Sequence, residues 1–250
     1  MTTLLPDRVG ARRTRIRVDA ATSGRARVLA TTSGDPARPR LRTVILDSSP
    51  GYAKVALVPD GALLLAGDAI GLDVLVGTGV RLDLVEPGGT VAYDMRGGSA
   101  SWDVTIDLGA GARLTWAGEP FVLSAGAQVS RTTDVTLGVG ARLAVRETLV
   151  LGRHHERIGN LDQRWTARGP DGHEVLVEHL TLGGSAHRPG ILGANRVIGS
   201  VVCLGIDVPG DVCTEDRFDL DAGGTLWRRL AGQAHQAVPD AAWQAALRGC

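Results

Sequence analysis

Histidine and carboxylate side chains are the residues of this sequence best suited to chemistry, because they bind metals and transfer protons. The most concentrated group is His154-His155-Glu156, which interrupts an alternating apolar stretch. Imidazole nitrogens and a carboxylate suit borderline divalent metals such as nickel, copper or zinc. Neighbouring residues of a strand point to opposite faces, so one metal reaches both histidines only where a turn bends the backbone. A metal site and a surface loop with incidental histidines are therefore both open.

Three further carboxylates stand out by their position among apolar strand residues. Asp68 follows an apolar run, Glu147 begins another, and Glu178 follows Val177. A carboxylate in such a setting requires a partner, either an arginine or a cation. The sequence leaves both possibilities open: a salt bridge to one of the many arginines, or weak binding of a metal ion.

Several classes of catalytic and metal site are disfavoured. The sequence has no GxSxG nucleophile elbow, no HExxH zinc motif and no GxxxxGK[ST] phosphate loop. Cys203, Cys213 and Cys250 are odd in number and lack CxxC spacing, so neither a structural zinc site nor a disulfide framework is expected. The residues predict a protein that is not an enzyme.

Charge and hydropathy limit the partners. Positive and negative side chains balance at 27 each, so no long-range field favours nucleic acid or an acidic membrane. No run approaches the roughly 18–20 apolar residues of a membrane span, and the start lacks the apolar segment of a signal peptide. We expect a soluble, cytoplasmic protein that binds neither nucleic acid nor membrane.

One motif, Gly-x-Gly-x-Arg-Leu, recurs from Gly77, Gly109 and Gly138, at spacings of 32 and 29 residues. Alternating apolar runs precede and follow each copy, which is typical of strands with one buried face. The glycines tolerate the positive φ angles of tight turns. We interpret each copy as a hairpin and predict an all-β, β-helix-like stack of hairpins. An ordinary β-sandwich is the alternative.

No break in composition divides the chain, which predicts a single domain over residues 1–250. Residues 1–15 are polar and arginine-rich, and we expect them to form a loose tail. The strongest helix signal runs from Pro239 to Gly249, with early Pro and Asp residues and an alanine-rich body. A second short helix is expected between Leu226 and Gln236, and a mobile loop over residues 185–195.

Four motifs, taken in order, resemble those of the urease accessory protein UreD family, called UreH in some species. They are Pro59-Asp60-Gly61-Ala62 leading to Ala66-Gly67-Asp68; Thr90-Val91-Ala92-Tyr93; Trp116-Ala117-Gly118-Glu119-Pro120; and Glu147 with Leu151-Gly152-Arg153 and Glu156. The resemblance spans about residues 41–230. Ala62 and Ala66 stand where the family has glycine, and Val91 where it often has lysine, so the chain looks like a divergent member.

The resemblance implies a β-helix-like fold and a non-catalytic scaffold that holds apo-urease and recruits UreF and the GTPase UreG. Nickel would pass transiently through a water-filled path toward urease, with no tightly bound cofactor. As weak transit ligands we predict Asp68, Glu147, Glu178, His154, His155 and Glu156. As residues that shape the path we predict Gly67, Tyr93, Gly152 and Arg153. As partner contacts we predict Leu226, Trp227, Leu230 and Trp243.

Two other function classes stay open at this point. One is a non-catalytic β-sandwich or β-solenoid binding module. The other is a polysaccharide-active β-solenoid enzyme, which requires paired carboxylates in a cleft and aromatic platforms for sugars. The five tryptophans and two tyrosines are scattered through the chain, which disfavours the enzyme.

Overall fold

The structure is a computed structural model that describes residues 11–21, 25–183 and 191–250. The described residues form seventeen strands and two short α-helices. The strands are β1 (Arg12–Asp19), β2 (Arg27–Ser33), β3 (Arg40–Ser49), β4 (Tyr52–Asp60), β5 (Ala69–Val76), β6 (Arg81–Val85), β7 (Thr90–Ala92), β8 (Ala100–Leu108), β9 (Arg113–Ala117), β10 (Phe121–Leu123), β11 (Gln128–Leu137), β12 (Arg142–Leu151), β13 (Asn160–Arg168), β14 (Glu174–Leu182), β15 (Val197–Leu204), β16 (Arg217–Asp219) and β17 (Thr225–Ala231). The helices are α1 (Ala234–Ala237) and α2 (Asp240–Gly249).

Two sheets enclose the core. Sheet A has the strand order β14-β13-β11-β8-β5-β1-β2, and the main path of sheet B has the order β16-β17-β15-β12-β9-β6-β4-β3. Successive side chains of a strand alternate between its two faces, so each strand gives every second residue to the core. In β8 these residues include Trp102, Val104 and Ile106, all buried in the main hydrophobic cluster.

The repeated glycine motif marks the corner of a coil. In each copy the strand before the glycines belongs to sheet A and the strand after them to sheet B. Each strand pairs in parallel with its counterpart one coil further along, as Val74 pairs with Ile106 and Ile106 with Val135. The predicted β-helix-like stack is therefore confirmed, while the predicted hairpin within each motif is wrong.

The close stacking of the corners explains the first glycine of the motif. A Cβ on Gly109 would lie 2.8 Å from the backbone nitrogen of Thr78 in the preceding coil. A Cβ on Gly138 would lie 2.7 Å from that of Ala110, and the Gly138 amide donates a 2.7 Å hydrogen bond to the Leu108 carbonyl. Contact between coils, which local turn chemistry does not reveal, therefore requires these glycines.

A bend follows the sheet B strand in two of the coils. The short strands β7 and β10 pair in parallel with each other beyond this bend. Strand β12 runs on past it, pairing with β9 through residues 142–146 and with β10 through residues 149–151. The bend contains Glu86 in one coil and Glu119 in the next.

Antiparallel strands complete both ends of the stack. At one end of the stack, β2 pairs with β1 and β3 pairs with β4. At the other end, β14 pairs with β13 in sheet A. Sheet B is extended there by β15, β17 and β16, in that order from β12. Strand β1 begins at Arg12, so the predicted loose tail is wrong for residues 12–15; residues 1–10 lie outside the described ranges. Arg12, Thr14 and Ile16 are buried because β1 joins sheet A beside β5. Residues 185–190 of the expected loop also lie outside the described ranges.

The tail forms α2 as predicted. Its buried residues include Trp243, which belongs to a second hydrophobic cluster with Trp227 on the outer side of sheet B. The second predicted helix is largely wrong, because residues 225–231 form β17 between β15 and β16 and only Ala234–Ala237 is helical. Neither helix in the described ranges has the length and apolarity needed to span a bilayer.

Candidate functional site

The structure divides the predicted metal-ligating residues among three places. Glu147 and Glu178 contact arginines of the facing sheet, in the space between sheets A and B. Asp68 immediately precedes β5, near the other end of the stack. His154, His155 and Glu156 lie in the turn that follows β12.

Glu147 is held by two side chains of sheet A. Arg131 Nη1 lies 2.7 Å from Glu147 Oε1 and donates a 3.0 Å hydrogen bond to Gln163 Oε1. Gln163 Nε2 in turn donates to Glu147 Oε2 at 2.9 Å. Arg131 and Gln163 are in register on the neighbouring parallel strands β11 and β13, so both face the interior together. Both carboxylate oxygens are thereby satisfied, as burial of a charge requires.

Glu178 is paired with Arg228 across the two sheets. Both terminal nitrogens of the guanidinium donate to the carboxylate, and the Nη2 contact with Oε2 is 2.9 Å long. Arg228 Nε also donates to Ser200 Oγ at 3.1 Å. The arginine partner that the sequence left as one of two possibilities is therefore present for Glu178 as well as for Glu147.

Two small cavities are lined by these residues, and Glu147 lines both. A cavity of about 30 Å³ is lined by Glu86, Arg131 and Glu147, and one of about 10 Å³ by Glu147, Glu178 and Arg228. A water molecule requires roughly 10–15 Å³, so the space admits a few waters and is too small for a fully hydrated ion. We name as the interior polar row the residues Glu86, Arg131, Glu147, Gln163, Glu178 and Arg228.

Glu86 is a member of this row that the sequence reasoning missed. Its carboxylate accepts hydrogen bonds from Trp116 Nε1 at 2.9 Å and from the Glu119 backbone N–H at 3.1 Å. Burial raises the pKa of Glu86, and these hydrogen bonds and the charge of Arg131 oppose the rise only in part. One signal was available: the pair Glu86-Pro87 recurs in the next coil as Glu119-Pro120, at the same bend.

Asp68 lies apart from the interior polar row. Its Oδ1 is 2.6 Å from Arg12 Nη2, with both side chains buried, and its Oδ2 accepts a 2.9 Å hydrogen bond from the Leu65 backbone N–H. These contacts join the start of β1 to the turn before β5. Gly67, at φ 81°, makes this turn together with Asp68.

Glu156 and Arg153 stabilise the turn after β12. Arg153 Nη2 lies 2.7 Å from Glu156 Oε1, while Oε2 accepts backbone hydrogen bonds from Ala125 at 3.2 Å and Arg153 at 3.3 Å. The side-chain hydrogen bond from Arg153 is the main cause that lowers the pKa of Glu156. Both oxygens of the carboxylate therefore already accept from donors within this chain.

His154 and His155 come close together in the same turn. Their ring centroids are 3.8 Å apart, and His155 has a φ of 60°, so the backbone bends in the way that two histidines on one metal require. Within the described ranges, no group of three or more His, Cys, Asp or Glu side chains is placed to hold a metal ion. Two imidazoles supply half of the four ligands of a tetrahedral site.

Gly152 lets the chain wrap around Arg196 at this turn. It has a φ of 86°, and a Cβ there would lie 2.7 Å from Arg196 Nη2 and 2.8 Å from the Arg157 carbonyl oxygen. The hydrogen bond with Glu156 and the charge of Glu156 are the main causes that raise the pKa of Arg153, and the nearby Tyr93 contributes least. Gly152 and Arg153 belong to this turn, and neither they nor Tyr93 line the two cavities of the interior polar row.

The four predicted partner contacts differ in their accessibility. Leu226, Trp227 and Trp243 are buried within this chain, whereas Leu230 is 39% exposed. Leu226 packs between the sheets, whereas Trp227 of β17 and Trp243 of α2 pack in the second hydrophobic cluster. A partner that leaves this fold unchanged therefore reaches Leu230 and not the other three.

Comparison with known proteins places this arrangement in a family. The profile described as "UreD urease accessory protein" matches residues 12–246, from the first residue of β1 into α2. The chain belongs to the UreD family. The resemblance carried by the ordered motifs is confirmed, and the fold described above is that of a UreD family member.

Individual relatives agree with this assignment. A protein named urease accessory protein UreD 1 from Streptomyces griseus is 51% identical over 183 residues, which cover 72% of this chain and 71% of the relative. Urease accessory protein UreD from Frankia casuarinae is 35% identical over 224 residues, 78% of this chain and 69% of the relative. The protein named UreD 2 from Saccharopolyspora erythraea is 34% identical over 158 residues, and only 55% of its own length is matched.

Proposed function

We propose that this UreD family member is a non-catalytic, cytoplasmic scaffold that binds apo-urease together with UreF and UreG and helps to deliver nickel to urease. Its family and the names of its relatives support a role in urease maturation. The interior polar row is the observation that supports nickel delivery, because it places three glutamates between the sheets along adjoining cavities.

The chemistry of the row suits transit better than storage. Nickel accepts oxygen as well as imidazole ligands, and its affinity rises with the number of ligands that converge on it. Glu86, Glu147 and Glu178 follow or belong to β6, β12 and β14, so they offer one carboxylate at a time. An ion that meets single carboxylates in succession is held weakly at each, which permits onward movement.

The arginines keep the row closed in the absence of cargo. Arg131 and Arg228 neutralise Glu147 and Glu178, and the cavities beside them hold about 30 and 10 Å³. A hydrated nickel ion must shed water and displace these ion pairs to enter. Nickel delivery therefore involves a wider conformation of the row, formed with the partner proteins.

Exposed apolar residues at the ends of the stack support work within a protein complex. Val44, Ile45 and Leu46 are each about half exposed on β3, an edge strand of sheet B. Phe218 is 55% exposed on β16, the opposite edge strand of that sheet. Edge strands with exposed apolar side chains are prone to association, and partner proteins commonly cover them.

Co-expression tests this function. Urease subunits and the other accessory proteins are produced with and without this chain, and nickel content, urease activity and co-purification are measured. We expect nickel-loaded, active urease only when the chain is present, and co-purification of the chain with UreF or apo-urease. Equal activity without the chain, together with no co-purifying partner, would instead indicate a β-solenoid binding module of another kind.

A further inference from the structure

Arg131 shares a small interior cavity with two glutamates. Its guanidinium pairs with Glu147, donates to Gln163 and lies 4.4 Å from the centroid of the Phe121 ring. Glu86 lines the same cavity. The Arg131 side chain is only 10% exposed, so its charge is supplied almost entirely to these interior groups.

Two residues that line the cavity also carry buried hydrogen-bond donors that the described part of the chain does not satisfy. Arg131 Nε and Trp102 Nε1 are buried without an acceptor there, and both side chains line the cavity of about 30 Å³. Buried donors are rarely left unpaired, so ordered water is expected in this space. The cavity is therefore lined by polar as well as apolar side chains within the core.

We propose that the Arg131 guanidinium occupies a latent divalent-cation site whose oxygen donors are Glu147 and Gln163. Carboxylate and amide oxygens are ligands that divalent cations take readily, and the guanidinium now supplies the positive charge that these buried oxygens require. This inference rests on the proposed function for the identity of the cation, nickel. It adds the residue that controls whether the cation enters.

Electrostatic repulsion prevents the Arg131 guanidinium and a divalent ion from occupying this site at the same time. A guanidinium and a divalent ion a few ångströms apart repel strongly where water is scarce. Arg131 must therefore leave Glu147 when the ion arrives and return when the ion moves on. Arg228 stands in the same relation to Glu178 in the adjoining cavity, so the next position along the row is built in the same way.

Metal titration of the purified full-length chain tests this proposal without urease. Nickel chloride is titrated by calorimetry into the wild type, Arg131→Ala and the double variant Arg131→Ala/Glu147→Gln. Removal of the competing charge should tighten nickel binding by about tenfold or more in Arg131→Ala, and the double variant should lose that gain. Arg42→Ala, which breaks an exposed ion pair with Asp60, is the matched control and should leave nickel binding unchanged.

Arg131→Lys provides a second test should the alanine variant not fold. Lysine keeps the charge but lacks the planar fork that contacts Glu147 and Gln163 together and stacks on Phe121, so it is displaced more easily. We expect about threefold tighter nickel binding than in the wild type. The proposal would be overturned if Arg131→Ala folds and binds nickel with wild-type affinity, or if the double variant keeps the gain in nickel affinity. If Arg131→Ala does not fold, unchanged nickel affinity in Arg131→Lys would overturn it.

The outcome is separable from that of the proposed function. If omission of the chain abolishes urease activation but Arg131→Ala gains no nickel affinity, the scaffold role stands and the latent site is rejected. If Arg131→Ala gains affinity through Glu147 but omission of the chain has no effect on urease, the site stands and the scaffold role is rejected.

Discussion

Glu178 and Arg228, separated by 50 residues in the sequence, meet between the two sheets as a two-point ion pair. Glu178 belongs to β14, an edge strand of sheet A, and Arg228 to β17 of sheet B. The pair therefore ties the sheets together at one end of the stack. Its side chains are 21% and 23% exposed, so loss of either partner leaves the other charge with little access to solvent.

Breaking this pair should destabilise the fold. We expect Glu178→Ala and Arg228→Ala each to lower the free energy of unfolding by about 2 kcal/mol. This is less than the cost of leaving a fully buried charge without its partner, because both groups are partly exposed. The double variant should lose less than the sum of the two. Urea unfolding measures all three, with Arg42→Ala as an exposed control expected within about 0.5 kcal/mol of wild type. Strict additivity would show that the pair contributes nothing.

The corner glycines give a prediction about the stack itself. Gly138→Ala should lower the free energy of unfolding by about 3 kcal/mol, because the new methyl group would be 2.7 Å from the backbone nitrogen of Ala110. Gly210→Ala is the matched control, since a Cβ there meets no atom within 4 Å and needs no positive φ. Thermal unfolding of both variants checks this. Equal effects at the two positions would mean that contact between coils does not constrain the corner.

Local sequence patterns were sufficient for the strands but not for their pairing. Alternation around Gly77, Gly109 and Gly138 predicts strands on both sides of each corner, and these strands are present. The same local pattern suits a hairpin and a coil corner equally well, because the choice depends on residues about thirty positions away. Residues 225–231 illustrate the same limit, since pairing with β15 and β16 outweighs a weak helix signal.

The candidate site was predictable only in part. Glu147 and Glu178 were identified because each is a charge among apolar neighbours, but their separation in sequence gave no indication that they line one cavity. Glu86 was missed because Glu86-Pro87-Gly88-Gly89 has the composition of an exposed turn. Only the bend between β6 and β7, fixed by stacking against the next coil, turns its carboxylate toward the core.

The raised pKa of Glu86 predicts a pH dependence of stability. A carboxyl group whose pKa is higher in the folded protein than in the unfolded chain binds its proton more tightly in the folded protein. The free energy of unfolding therefore falls as the pH rises and the group becomes ionised in both states. The wild type should therefore lose stability relative to Glu86→Gln as the pH rises from the ordinary carboxyl pKa of 4.5 through the raised value. Urea unfolding of both proteins across this range measures the difference. A difference that does not vary with pH would contradict burial of an ionisable Glu86.

Substitution of Asp68 distinguishes a structural role of this carboxylate from a role in nickel transit. Because Asp68 and Arg12 form a buried pair at 2.6 Å, Asp68→Ala should cost about 3 kcal/mol of stability and loosen β1. Urease activation by this variant should then fall in proportion to the amount of folded protein. Arg38→Ala, which removes a 3.9 Å contact to Asp68 from an exposed arginine, should have little effect. Lost activation in a fully folded Asp68→Ala protein would instead assign Asp68 to nickel transit.

Nickel loading of urease by Glu147→Gln tests the central claim most directly. The variant is co-expressed with urease and its accessory proteins, and nickel per urease is measured beside assembly of the complex; Glu174→Gln, in an exposed ion pair with Arg168, is the control. If nickel passes along the interior polar row, Glu147→Gln should lower loading by about tenfold while assembly is unchanged, because a neutral amide binds a divalent cation far more weakly than a carboxylate. Full nickel loading with folded, assembled Glu147→Gln would contradict passage through the row.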